Sequence, residues 1–297
     1  MRVLLFNVHT PFLYSLAETG HDLFCMEGGP ASLGWVEWNE AQRPRPANVH
    51  SVQMSEVREK EYDVLVLQTP RQWELRELLF DLPRVYVEHN VEGDLCKHYV
   101  EDPRCIVVFH SGTAERQWGK RPGMEYRIIE IGVKDEFLEH TGETAEALAV
   151  VSGYRQRDNW CRYWLWKLAV ATYPNRVVGG MNGQMGTADW ESAGEIGEPV
   201  GSWDELKGVY ERSRVYVSTP LTFPSMAEVE AMMAGMPMVR AGGIEEIGKV
   251  RQLVREFLED QDRAQYEGRY ARMFAQTNFG IERFCSEWNE VLETVSG

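Results

Sequence analysis

The chain has 297 residues, 43% of them hydrophobic, which suits one large domain or two ordinary ones with a real core. Its formal net charge is −15, with 46 acidic against 31 basic side chains, which argues against broad binding to nucleic-acid backbones; the nearest basic cluster, Arg116–Arg121, is small. No apolar run approaches the ~20 residues of a membrane span, the first strand pattern starts at Arg2 and leaves no room for a signal peptide, and the five cysteines are scattered without a Cys-x-x-Cys pair, so a cytoplasmic protein with reduced thiols is expected.

In chain order, strand patterns fall at Val3–Asn7, Asp22–Met26, Tyr62–Gln68, Arg84–Glu88, Cys105–His110 and Tyr126–Ile131. A second set follows at Leu148–Gly153, Arg176–Gly180, Arg214–Ser218 and Met238–Ala241. Most are short apolar runs rich in Val and Ile, as strands buried on both faces of a parallel sheet read. Helical patterns lie between them at Thr10–Thr19, Arg71–Leu79, Thr113–Gly119, Cys161–Ala171 and Trp203–Arg212. The alternation predicts an α/β chain with doubly wound parallel sheets. The acidic stretch Glu136–Glu146 separates the two sets, giving expected Rossmann-like halves at 1–140 and 147–275. The tail Leu258–Val295 is helical and charged; within it, Phe279 to Trp288 carries aromatics at helical spacing, so a last helix at 276–297 is expected to dock on something.

The sharpest punctuation lies at 214–239. Ser225 and Glu228 form a Ser-x-x-Glu capping box that starts a helix at Met226. Gly235 suits the left-handed position past its end, and Pro237 stops it. A helix opening at the carboxyl end of a parallel strand aims free N–H groups and a positive dipole end at a crevice, an anion site. Glu230 lies one turn inside it. Gly180–Gly186 is Gly-x-x-Gly-x-x-Gly, not the dinucleotide Gly-x-Gly-x-x-Gly, which disfavours a nicotinamide enzyme. Asp260-Gln261-Asp262 sits in a charged tail and reads as solvated surface, so no metal is expected. Of the ten tryptophans, Trp160, Trp164 and Trp166 cluster near the second half's first helix, as core or as stacking surfaces.

Six segments in this order resemble a retaining glycosyltransferase of the two-Rossmann GT-B type, in the large family 4 group: Glu18–Leu23, Arg84–Asn90, Val107–Glu115 with Arg127–Phe137, Glu198–Pro220, Ser225–Val239 and Phe279–Val295. The resemblance implies two Rossmann-like domains facing across a cleft, the first binding an acceptor and the second a nucleotide-sugar donor, with the C-terminal helix crossing back to the first. It implies hexose transfer from a UDP- or GDP-sugar to an acceptor hydroxyl with retention, without metal or cofactor. By this resemblance Glu230 takes the ribose hydroxyls and His89 lies at the reacting centre. Arg155 and Arg157 would hold the diphosphate with Ser225 and Met226 at the helix start. His9, Thr10 and Asn90 would lie on the acceptor or phosphate side. The acceptor would be a glycan, a lipid-linked sugar or, against the charge, a modified DNA base; the oligomeric state stays open.

Four departures stand out. The family's paired glutamates become Thr222 and Glu230; the Gly-Phe-Gly turn becomes Phe223-Pro224-Ser225; Asn7–Pro11 replaces the glycine-rich loop after the first strand; and Gly153–Arg157 replaces the Gly-Arg…Lys clamp. Thr222 cannot supply a carboxylate's charge, so the donor-sugar contact must differ. Two other readings therefore stand beside the transferase: a nucleotide-sugar-binding subunit without turnover, and a sugar-nucleotide 2-epimerase of the same fold. Ser225 and Glu228 need no role beyond the cap. Glu88, on the opposite face of its strand from His89, is disfavoured as base or nucleophile.

Overall fold

A computed structural model describes residues 1–27, 37–40, 42–58, 61–74, 81–89, 102, 104–118, 123–151, 154, 158–179, 200–221 and 224–297. Two compact units emerge: Met1–Gly132 with Ile281–Gly297, and Val133–Gly280.

The first unit is built on β1 (Arg2–Phe6), β2 (Asp22–Glu27), β3 (Val49–Gln53), β4 (Val64–Leu67), β5 (Arg84–Glu88), β6 (Cys105–Phe109) and β7 (Tyr126–Ile128). Helices α1 (Thr10–Ala17), α2 (Pro70–Glu74) and α3 (Gly112–Trp118) interleave with them. The sheet order is β3-β2-β1-β4-β5-β6-β7, and the pairings are parallel. The central strands are buried throughout, and their residues divide by alternation between two cores. Val3, Leu5, Val64, Val66, Val85 and Val87 join one cluster; Leu4, Phe6, Leu65, Leu67 and Tyr86 join the other.

The second unit carries β8 (Thr144–Val150), β9 (Asn175–Val178), β10 (Ser213–Ser218) and β11 (Met238–Arg240), all parallel in the order β11-β10-β8-β9. Its helices are α4 (Asp158–Cys161), α5 (Tyr163–Val170), α6 (Trp203–Arg212), α7 (Met226–Ala234), α8 (Ile247–Glu259) and α9 (Gln261–Phe279). The sheet packs on one apolar cluster that includes Trp166, Val215, Val217, Val250, Val254 and Phe257. The last helix, α10 (Ile281–Ser296), belongs to the first unit. It buries Phe284, Trp288, Val291 and Leu292 in the cluster that also holds Phe12 and Leu16 of α1.

Two local features depart from the sequence reading. Strand β3 went unread because it is a sheet edge in which only Val49 is buried and His50, Ser51 and Gln53 leave few apolar residues. The helix expected at Cys161–Ala171 is broken into α4 and α5, because Arg162 adopts a left-handed backbone (φ 53°). Among the described residues, no helix is long and apolar enough to cross a membrane. Cys25, Cys105, Cys161 and Cys285 are free thiols.

Candidate functional site

In doubly wound sheets ligands bind beyond the carboxyl ends of the strands, where the strand order reverses. The first unit reverses between β1 and β4, and the second between β8 and β10. Both places are rich in polar side chains.

In the first unit, β1, β4, β5 and β6 each run into a polar residue: Asn7, Gln68, His89 and His110. The half-buried rings of His89 and His110 stand 4.8 Å apart, and the exposed His9 ring lies 6.1 Å from His89. Phe12 of α1 sets its edge against both, at 5.1 Å from His89 and 5.3 Å from His110. Phe12 is itself backed by Phe284 and Trp288 of α10. His89 Nε2 meets Gln68 Oε1 at 3.0 Å, and His110 Nδ1 donates to the Ile129 carbonyl at 3.1 Å. Thr10 is turned inward, buried against Asn7, whose amide donates to its hydroxyl at 3.1 Å. Glu88 points to the other face, where it accepts from Tyr86 at 3.3 Å. The structure thus brings His9 and His89 together and adds His110 and Gln68. Sequence reasoning had noted both added residues only as strand ends.

Burial, then the neighbouring His110 and His9 rings, push the His89 pKa well below its ordinary value. Burial lowers His110 to about 4, although its hydrogen bond to Ile129 opposes this. Both rings are therefore neutral at pH 7. From about 6.5 down to about 4 the unfolded chain takes up a proton at position 110 that the folded chain refuses, so stability falls as the pH drops through that window. After a discount for partial exposure, wild type is expected to lose ~2 kcal/mol more than His110→Asn between pH 7 and pH 4.5 in urea titrations. Equal losses in the two proteins would contradict the assignment.

In the second unit, α7 opens as the capping box predicts. The Ser225 hydroxyl accepts from the Glu228 N–H at 3.3 Å, and the Glu228 carboxylate accepts from the Ser225 N–H at 2.7 Å. Gly235 closes the helix at φ 87°. Glu228 does more than cap: fully buried, it also accepts from the Ser218 hydroxyl at the end of β10 and from Arg240 Nη1 at 2.8 Å. Ser225, Met226 and Ala227 remain half-exposed at the helix start. Glu230 is buried on the same helix, where one carboxylate oxygen accepts from the Tyr210 hydroxyl at 3.1 Å.

Arg162 braces the segment before α7. Its guanidinium donates to the carbonyls of Thr219 (2.6 Å), Gly242 (2.5 Å), Ala241 (3.1 Å) and Pro220 (3.3 Å). Arg240 Nη2 adds a bond to Pro220 at 2.7 Å. Thr219 is tied down further by Tyr154 and by the Cys161 carbonyl, each at 2.6 Å. Neither arginine was singled out from sequence, because the carbonyls they bind follow strands that meet only in the fold. Arg155, Arg157, Thr222 and Asn90, with the loop Gly180–Gly186, lie outside the described residues. Trp166 is core, whereas Trp160 and Trp164 are exposed. Asp260 caps α9 by accepting from the Arg263 N–H at 2.9 Å. Among the described residues, no cluster of His, Cys, Asp and Glu could hold a metal ion.

No family model matches the chain, and no curated protein sequence does. Solved structures do match. A sucrose-phosphate synthase from Thermosynechococcus elongatus superposes with a TM-score of 0.67 at 14% identity, covering 99% of both chains. HepE of Anabaena, crystallised with UDP-glucose, gives 0.67 at 14% identity over 99% of this chain and 100% of its own. A glycosyltransferase from Rickettsia africae gives 0.64 at 13% identity over 99% and 98%. At such identities the likeness establishes the fold: two Rossmann-like parallel-sheet units of the GT-B kind, with the C-terminal helix returning to the first.

Proposed function

We propose that the protein is a retaining glycosyltransferase that moves a hexose from a UDP-sugar to an acceptor hydroxyl without a metal. The observation that carries this reading is the end-to-end likeness to HepE, whose complex holds UDP-glucose. Two features support it. The capped α7 offers N–H groups and a positive dipole end beside the β8/β10 reversal, suited to a diphosphate. Glu230, one turn further in, is suited to accept from ribose hydroxyls.

In this reading the second unit holds the donor, with Ser225 and Met226 at the phosphates and Arg155, Arg157 and Thr222 on the donor side. The first unit offers His89 to the reacting sugar, with His9, Thr10 and Asn90 on the acceptor or phosphate side. Electrostatic preorganisation around the departing diphosphate supplies the largest share of the rate. A neutral His89 contributes by hydrogen bonding and not by charge, because its depressed pKa keeps it unprotonated at pH 7. A sugar-binding subunit without turnover is the second reading. It rests on Thr222 standing where the resembled family has a glutamate.

The test is calorimetry with UDP and UDP-glucose. Glu230→Ala is expected to weaken binding more than tenfold, or at least ~1.4 kcal/mol. Unchanged affinity in that variant sinks the donor assignment to α7. In steady-state assays with candidate acceptors, His89→Ala is expected to lower kcat more than it raises KM, as removal of a transition-state interaction does. Donor binding with neither hydrolysis nor transfer under any acceptor favours the subunit reading instead.

A further inference from the structure

The hydrogen-bond chain through Gln68 fixes which nitrogen of His89 carries the proton. A backbone carbonyl can only accept, so the amide nitrogen of Gln68, 2.6 Å from the Phe6 oxygen, must be the atom that faces it. The amide oxygen then faces His89 Nε2 at 3.0 Å, and an amide oxygen also only accepts. Gln68 cannot turn over to offer the reverse arrangement: it is 4% exposed, and a flipped amide would set its oxygen against the Phe6 carbonyl oxygen. His110 is fixed in the opposite sense, because its Nδ1 faces the Ile129 carbonyl.

We infer that Gln68 is a positioning residue that locks His89 in the Nε2–H tautomer, so that His89 Nδ1 and His110 Nε2 form a pair of neutral acceptors for ligand hydroxyl hydrogens. Phe12, edge-on to both rings, limits their rotation. Among the described residues, the titratable group that also faces His89 is His9, and Glu88 is turned to the other face with Tyr86. Unprotonated nitrogens on two neighbouring rings welcome O–H donors and repel anionic oxygens, so the pair selects an uncharged polyol over a phosphate. The polyol class rests on the transferase reading; the tautomer does not.

The test is long-range ¹H–¹⁵N correlation on the ¹⁵N-histidine-labelled full chain at pH 7, with signals assigned through His89→Asn and His110→Asn. The unprotonated ¹⁵N shift is expected at Nδ1 of His89 and at Nε2 of His110; a protonated Nδ1 on His89 overturns the inference. Gln68→Glu places a carboxylate where the amide was, and is expected to raise the His89 protonation constant at least tenfold. Gln68→Met is expected to leave a mixture of tautomers. If both variants keep the wild-type tautomer and titration, Gln68 is not a positioning residue, and should they fail to fold, the wild-type spectrum still decides the tautomer. Methyl glucoside at millimolar concentration is expected to shift the two acceptor nitrogens, and inorganic phosphate to leave them in place. A response to phosphate, or to neither probe, overturns the polyol preference. UDP-glucose in a thermal-shift assay separates the readings: the expected tautomer without stabilisation refutes the transferase alone, and stabilisation with the reverse tautomer refutes the Gln68 lock alone.

Discussion

Glu228→Ala is expected to destabilise the second unit by ~3–5 kcal/mol, the range for removing one partner of a buried ion pair. The carboxylate has no exposure and accepts three bonds, from the Ser225 N–H, the Ser218 hydroxyl and Arg240, while the Glu228 N–H returns a bond to the Ser225 hydroxyl. Its removal leaves a guanidinium that is 28% exposed facing an empty pocket. The lost cap alone accounts for ~1 kcal/mol; the rest comes from the Ser218 hydroxyl and from Arg240 Nη1, which lose their carboxylate acceptor while Arg240 Nη2 keeps Pro220. Glu228→Gln keeps the shape and one acceptor, so it is expected to recover part of the loss. Urea unfolding monitored by tryptophan fluorescence measures both. A loss under 1 kcal/mol for the alanine variant would show that Arg240 finds water or other partners at little cost.

Gly268→Ala is the second large effect, and its sign opposes helix propensity. In an exposed helix interior the change stabilises by ~0.8–1 kcal/mol. At Gly268, however, α9 runs so close to the end of α7 that a Cβ would overlap the Gly235 carbonyl oxygen and lie 3.3 Å from Pro237 Cδ. Neither neighbour yields easily: Gly235 is held at φ 87° as the helix cap, and Pro237 is a ring in the turn to β11. Overpacking against rigid atoms costs ~1–3 kcal/mol or more, so a net loss of about 2 kcal/mol or more is expected. Gly248→Ala serves as the control, because a Cβ there meets nothing within 4 Å. It is expected to leave thermal stability unchanged or raised, while Gly268→Ala lowers the Tm. Equal effects would mean that the two helices separate without penalty.

What could be read from sequence was local. The limits of α7, its cap and its stop are written within fourteen residues, so the reading of Ser225, Glu228 and Gly235 needed no knowledge of neighbours. The buried central strands announced themselves by unbroken apolar runs. The histidine cluster could not be read in full, because residues 9, 68, 89 and 110 meet only through the order in which strands lie side by side. His89 was noticed at a strand end; His110 stood at an equivalent strand end and lacked a motif around it. Arg162 was hidden for the same reason, since its four carbonyl partners lie 57 to 80 residues away. Edge strand β3 was hidden by its polarity, which propensity reads as loop.

Helix α10 reverses the usual order of assembly. The first unit is split in sequence, and the α1 side of its sheet is sealed by Phe284, Trp288, Val291 and Leu292. A nascent chain that has delivered residues 1–132 therefore emerges from the ribosome with an apolar face still open. At ~5–20 residues per second, that face waits roughly 10–30 s for its cover. The second unit, contiguous from Val133 to Gly280, is complete before the first. During synthesis the interval of greatest exposure to chaperones and to self-association thus belongs to the amino-terminal half, and it closes only when the last helix arrives.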